Sequence, residues 1–385
     1  MIAAITILFF FLPVFSLPLV LLALILESDN KRKLWYAILI GIFVAILLYY
    51  LIPDESKDLY RYYILMGKNY NAPFGEFLLS LTTKTEPISN IYFYLFSKTG
   101  NYNLITIFTT IISYGIILYI LFSQQKTNRT SNLGFNIILF LSFSTIYLID
   151  DITGIRFCIG RLLFTLAIYL DLYKKKRNIL TSLLYLSSAL VHTSCIILIL
   201  LRLFHKMTKE KFNIVTLLLV AAVSLSPTIL LSASANLSNI PFLTTLSDKA
   251  AEYLELNAGL YSMFILQIIL AIIFTFILCW IRKKGKSNNG YINFVLLVLT
   301  FGLLMISKTS ISTRFIRAGL TLSLPVIADG VSIATKKQKL ILYPTLILAS
   351  LASIAFQIRH LTYLISYGDL FGDGLFKNLI WLLFK

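Results

Sequence analysis

Charge is scarce in this sequence: only 13% of its 385 residues are charged, and the 17 acids face 34 Lys and Arg. Histidine and cysteine are rarer still, at three residues each. Cys158, Cys195 and Cys279 lie inside apolar stretches without a CxxC or Cys/His pairing, so they read as small packing residues rather than disulfide or zinc ligands. No His/Asp cluster has metal-ligand spacing, and there is no phosphate-binding glycine loop and no nucleophile elbow. Neither a metal nor a cofactor is therefore expected. Strand-like alternation of polar and apolar residues is missing as well, which excludes a β-barrel. The first apolar block has no basic stretch before it and no small-residue cleavage site after it, and is read as a retained helix.

What is abundant is apolar. Hydrophobic residues make up 58% of the chain and its mean hydropathy is +0.84, against about 45–50% apolar in soluble domains. The apolar residues fall into blocks at Met1–Leu26, Leu34–Ile52, Asn103–Phe122, Leu133–Ile149, Ile155–Tyr173 and Ile179–Leu201. Further blocks run over Phe212–Leu231, Leu260–Ile281, Tyr291–Ile306, Phe315–Val331 and Leu340–Phe356. Their lengths approach the roughly 20 residues that a helix needs to cross a bilayer. The expected fold is all-α: a polytopic transmembrane bundle forming one membrane domain over residues 1–385, with about 10–11 membrane segments.

The formal net charge of +17 does not point to nucleic acid, because its distribution is that of membrane topology. The runs KRK (31–33), KKKR (174–177), RKKGK (282–286) and KKQK (336–339) sit between apolar blocks, as positive-inside loops do. Placing them in the cytoplasm of a bacterial inner membrane puts residues 53–102 and 232–259 outside. The first of these segments is rich in aromatics, suited to helices lying in the membrane interface. The tail, residues 357–385, ends in the amphipathic stretch LFKNLIWLLFK and is read the same way.

One block breaks the parity of this topology. Three blocks separate KKKR from RKKGK, yet two loops on one side must be separated by an even number of crossings. Ile179–Leu201 is the block expected to turn back, since Arg202, Lys206, Lys209 and Lys211 follow it at once. Non-spanning backbone at membrane depth survives only when buried in protein or lining a wet cavity, so a re-entrant hairpin here would itself mark a site.

Ionisable groups in or beside apolar blocks are functional candidates by default. Arg156 and Arg161 stand at the outer end of one block, and Arg314 and Arg317, three residues apart, at the outer end of another. Such guanidinium forks can hold a pyrophosphate bidentately; each arginine alone reads equally well as a headgroup anchor or a partner of Asp150 and Asp151. His192 falls at the expected bend of the hairpin, where it can accept a proton or donate a hydrogen bond to phosphate. Asp58 and Glu86, on the same outer side, are alternative bases for a sugar hydroxyl. Glu86 precedes Pro87 and also suits a helix start.

In this order the pieces resemble the EpsG-like group of Wzy-type polysaccharide polymerases. The resemblance is carried by DESKDLYRYY (54–63), with Asp58 and Tyr60, then by TEPISNIYFYLF (85–96) and DDITGIRFCIGRLLFTLAIYLDLYKKKR (150–177). SSALVHTSCIILIL (187–200) and TRFIRAGLTLSLP (313–325) complete it. It implies an enzyme that moves a growing glycan from undecaprenyl pyrophosphate to the non-reducing end of another lipid-linked unit, on the external face, in capsule, exopolysaccharide or O-antigen synthesis. On that reading Arg156, Arg161, Arg314 and Arg317 hold pyrophosphate, and His192, Asp58 or Glu86 acts on the acceptor hydroxyl. Tyr60, Asp150 and Asp151 contact glycan. The implied partners are the undecaprenyl-pyrophosphate-linked oligosaccharide, the bilayer, and the flippase and chain-length regulator of the same pathway. The competing readings are a glycolipid flippase, which would need polar residues through the midplane, and a membrane acyltransferase, which would need an early His/Arg pair.

Overall fold

The computed structural model describes residues 2–50, 55, 58–128, 130–147, 153–211, 262–285, 288–306 and 308–361. Every regular element among them is helical. The apolar block Phe212–Leu231, the external segment 232–259, most of the tail, and Asp150 and Asp151 lie outside the described residues. The chain divides into two compact units, Met1–Leu162 with Tyr343–Lys385, and Leu163–Leu342.

In the first unit, the opening apolar block forms two helices, α1 (Ile2–Phe11) and α2 (Pro13–Leu26). The expected single helix is interrupted at Leu12, whose backbone leaves the helical region (φ −139°, ψ 70°). The cause is Pro13, since a proline disfavours the helical conformation in the residue before it. Helix α3 (Asn30–Tyr49) starts on an Asp29 N-cap whose side chain accepts from the Lys31 and Arg32 amides. It packs along α7 (Leu104–Asn128), and the C-terminal end of α3 is tied to the N-terminal end of α7 by the Thr106 hydroxyl donating to the Leu48 carbonyl at 3.1 Å.

Between α3 and α7 the aromatic-rich segment folds into three short helices, α4 (Asp58–Tyr70), α5 (Phe74–Leu81) and α6 (Pro87–Ser97). They are held by ring contacts: Tyr62 stacks on Phe93 at 4.6 Å and Phe77 on Tyr94 at 3.9 Å. The opposite face of α5 leaves Phe74, Leu78 and Leu79 exposed, the two-faced character expected of an interfacial helix. Helix α8 (Asn132–Thr145) follows. The unit is completed by the second half of α15 (Lys336–Leu361), where Ser353 and Gln357 both donate to the Ser144 carbonyl, at 2.9 and 2.8 Å.

The division between the units falls within α9 (Ile155–Ile168), which runs into a single π turn at Tyr169–Tyr173. The second unit continues with α10 (Ile179–Val191) and α11 (Ser194–Met207), then α12 (Ser262–Lys283), α13 (Asn289–Leu304) and α14 (Thr309–Ile333). Its centre is α14, buried without a break from Ala318 to Val331. This helix approaches α13 so closely that a Cβ on Gly302 would lie 2.9 Å from the Ile316 amide nitrogen. Small residues at such crossings let helix backbones meet where lipid supplies no hydrophobic drive.

The block Ile179–Leu201 is a hairpin. It breaks at His192, which takes an extended conformation (φ −150°, ψ 125°) between α10 and α11. Both of its ends reach the same buried carboxylate, Asp171 of the π turn. Arg177, before α10, donates to Asp171 Oδ1 at 2.7 Å, and Arg202, near the end of α11, donates to Oδ2 at 2.8 Å. Glu210 accepts from both arginines at 3.0 and 3.4 Å. Beside this cluster the Asn288 side chain donates to the Leu172 carbonyl, and the Asn293 amide donates to the Glu210 carbonyl at 2.8 Å. The Tyr173 hydroxyl reaches Asp329, near the end of α14, at 2.8 Å. The basic residues at 174–177, 206–211 and 282–285 are thereby gathered at one end of the unit.

Five described helices, α3, α7, α12, α14 and α15, are long and apolar enough to cross a membrane, and the chain is a multi-pass membrane protein. Cysteines placed singly at Lys175, Lys209 and Lys284 in a cysteine-free background should all react with an impermeant maleimide from one side of sealed vesicles. Labelling of Lys209→Cys from the opposite side to the other two would replace the hairpin with a full crossing.

Candidate functional site

Among the described residues of the first unit, Glu86 and Arg156 form a buried ion pair. Glu86 takes the N-cap position of α6, with Pro87 in the first turn, but its carboxylate does not cap the helix. It accepts instead from Arg156 Nη1 at 2.6 Å, and is only 3% exposed. Arg156 Nε donates to the Tyr62 hydroxyl at 3.1 Å, and the guanidinium lies over the Tyr62 ring at 5.3 Å. Burial pushes the Tyr62 hydroxyl up to about 12, although Arg156 pulls the other way, so Tyr62 stays protonated and serves as an acceptor for the arginine. With two nitrogens fixed, the Arg156 side chain remains one-third exposed. A buried carboxylate and a phenol thus hold a cation in one orientation while part of it faces outward, as recognition of an anion requires.

Asp58 opens α4 in the same unit. Its side chain is 43% exposed, paired loosely with Arg61 at 3.5 Å, and close enough to Arg156 to act on its charge. Of the two acids considered as bases in this segment, Asp58 is accessible, whereas Glu86 is closed off and engaged. Tyr60 is half-buried on the same helix. Arg161 lies five residues past Arg156 on α9 and is 1% exposed, with Nη2 3.9 Å from Cys158 Sγ and the guanidinium 5.9 Å from the Phe157 ring centre. It is an interior residue and is not brought to the surface beside Arg156.

The second unit brings His192 and Arg314 together through a residue the sequence did not single out. The Ser194 amide donates to His192 Nδ1 at 3.0 Å, and the Ser194 hydroxyl accepts from Arg314 Nη1 at 3.2 Å. A ring whose Nδ1 accepts an amide proton carries its own hydrogen on Nε2 when neutral. His192 is therefore set up as a hydrogen-bond donor through Nε2 rather than as a proton acceptor there. Arg317 turns to Gln267 of α12, whose side-chain oxygen, oriented as its neighbours require, accepts from Nε and Nη2 at 2.9 and 3.0 Å. Both arginines sit in the second and third turns of α14, half-buried, rather than opening it.

The hairpin sets the depth of this cluster. The 13 residues of α10 carry the chain about 20 Å from the basic end. Along α14, Arg314 is about four turns, or 22 Å, from Asp329 at that same end. Two helices thus place His192 and Arg314 at one level, well across a hydrocarbon core of about 30 Å. Among the described residues no three His, Cys, Asp or Glu side chains are grouped to hold a metal ion.

The EpsG family profile matches residues 55–368, well over half of the chain. This chain belongs to the EpsG family. No curated protein and no solved structure matches it. EpsG proteins are Wzy-like polymerases, which makes this membrane-embedded chain a polysaccharide polymerase in the general sense, working in a bilayer on a lipid-linked substrate. The matched span contains Asp58, Glu86, Arg156, Arg161, His192, Arg314 and Arg317. Tyr62, Ser194 and Gln267 lie inside it too. The sequence does not single them out, because one tyrosine in an aromatic-rich segment, a serine and a glutamine carry no signal until a partner appears beside them.

The Arg156–Glu86 pair yields a stability test. Arg156→Ala strands a buried carboxylate and should lower unfolding stability by about 1.5–3 kcal/mol. Glu86→Gln in the same chain should recover part of that loss, so the two changes will be less than additive in a denaturation cycle. Strict additivity would show that the pair does not act as a unit.

Proposed function

We propose that this EpsG protein is a repeat-unit polymerase that transfers a glycan from undecaprenyl pyrophosphate to the non-reducing end of a second lipid-linked unit on the external face. The observation that carries this reading is Arg156, held by Glu86 and Tyr62 yet one-third exposed. As the anomeric carbon–oxygen bond breaks, negative charge develops on the departing pyrophosphate, and pre-oriented guanidinium donors lower the energy of that state without reorganising. Two lipid-linked substrates bring two pyrophosphates to the reaction. Arg156 in the first unit and Arg314 and Arg317 in the second are assigned to them, with His192 adding an Nε2 hydrogen bond. Arg161, being interior, is assigned to shaping α9.

Asp58 is the base in this scheme. The acceptor hydroxyl gives its proton to the Asp58 carboxylate as its oxygen attacks the anomeric carbon, and the pyrophosphate leaves with the electrons of the broken bond. Direct displacement inverts the anomeric configuration. The arginines take the charge-stabilising task, so the reaction runs without a metal, and Tyr60 provides a surface on which a sugar ring can stack. The product is a capsule, exopolysaccharide or O-antigen chain. A bacterial inner membrane location fits the gathered basic runs at one end of the second unit.

The test is a reconstituted reaction in nanodiscs, supplied with a lipid-pyrophosphate-linked oligosaccharide and read as a ladder on a gel. Arg156→Ala and Arg314→Ala should each reduce the ladder by about a hundredfold or more. Asp58→Asn should abolish elongation while substrate still binds. If the native protein instead moves the lipid-linked unit between leaflets and forms no ladder, it is a flippase and the polymerase assignment is wrong.

A further inference from the structure

The end of the second unit opposite His192 carries a cleft of about 630 Å³ at the mouth of the hairpin. Its polar lining includes Arg177, Arg202, Lys206, Asp171 and Tyr185, and its apolar lining includes Ile179 and Leu203. Three cations stand against Asp171 in the lining and Glu210 behind the two arginines, which leaves the cluster with one net positive charge, at Lys206. Lys206 is exposed and has no ion-pair partner among the described residues, and the buried Arg202 has an Nη1 without a hydrogen-bond partner. Ile179 and Leu203 are 79% and 51% exposed, so apolar surface reaches the rim directly beside the cations.

We infer that this cleft binds the headgroup of an anionic phospholipid from the leaflet on the basic side. Basic pockets between membrane helices bind lipid phosphate in this manner, and the volume suits a headgroup. The apolar rim decides between lipid and soluble phosphate: acyl chains leaving the headgroup would cover Ile179 and Leu203, which a free anion would leave in water. A phosphodiester here would pair with Lys206 while Asp171 keeps Arg177 and Arg202 in place. The site is built from residues apart from those assigned to glycan transfer, and it stands whether or not the polymerase scheme does.

Native mass spectrometry of the full-length protein in mild detergent tests this. The protein is offered dioleoyl phosphatidylglycerol or dioleoyl phosphatidylcholine, with glycerol phosphate as soluble competitor. The expected result is one retained phosphatidylglycerol in preference to phosphatidylcholine. Lys206→Gln should weaken retention about fivefold, which corresponds to the ~1 kcal/mol that one basic residue contributes at an anionic lipid surface. Arg177→Gln should weaken it at least as much, and Lys284→Gln, in another basic run, should leave it unchanged. Equal retention of both lipids, or equal loss in Lys206→Gln and Lys284→Gln, would overturn the site in favour of general surface attraction. Full displacement by glycerol phosphate would overturn the lipid in favour of a soluble phosphate. Among the described residues Lys206 makes no ion pair that its replacement would break, so its variant reports on binding; elution as a single species checks this.

Discussion

The carboxylate of Asp171 holds the second unit in register. It is buried in a π turn and accepts from Arg177, Arg202 and Tyr185, at 2.7, 2.8 and 3.0 Å. A charge in such surroundings is tolerable only when nearly every lone pair is satisfied, and the donors that satisfy it come from the two ends of one hairpin. Fixing those ends together forces α10 and α11 to run out and back. The position of His192 then follows from helix length alone. Asp171 lies within the π turn Tyr169–Tyr173, and single π turns recur at functional places in helices.

The same economy appears in the first unit, with one arginine in place of two. There the buried carboxylate is Glu86 and the cation is Arg156, and the pair is asymmetric: the acid is closed off, the base one-third open. Such a pair contributes little net stability, because desolvation offsets most of its Coulomb energy. What it provides is orientation. Proline at the start of α6 and the stack of Tyr62 on Phe93 make the supporting wall rigid, so the exposed edge of the guanidinium has a defined direction. Family membership places this constellation in a polysaccharide polymerase.

Much of the membrane architecture was legible beforehand. Apolar block length and basic-run placement depend only on local composition, and the helices α3, α7, α12, α13 and α15 fall where those blocks lie. The break at His192 was anticipated from parity, an argument about counting rather than packing. The interruption at Leu12 was not, although Pro13 stood in plain view, because proline is tolerated inside other helices of this chain, at Pro18, Pro325 and Pro344. The role of Glu86 was half legible. Its place at a helix start was read correctly, but a sequence cannot say whether a carboxylate folds back on its own amides or reaches 70 residues along the chain.

The sequence by itself determined the solvent of this protein, its helical class, its family and the short list of ionisable residues that membrane burial makes costly. Those properties arise from each residue's own transfer energy and from spacing along the chain. Only the tertiary structure decided which of the listed residues cooperate. It joined Arg156 to Glu86 and Tyr62, linked His192 to Arg314 through Ser194, withdrew Arg161 into the interior and gave Asp171 its place. Each of these outcomes depends on a hydrogen bond of about 3 Å between distant positions, and such a bond exists only after the helices have packed.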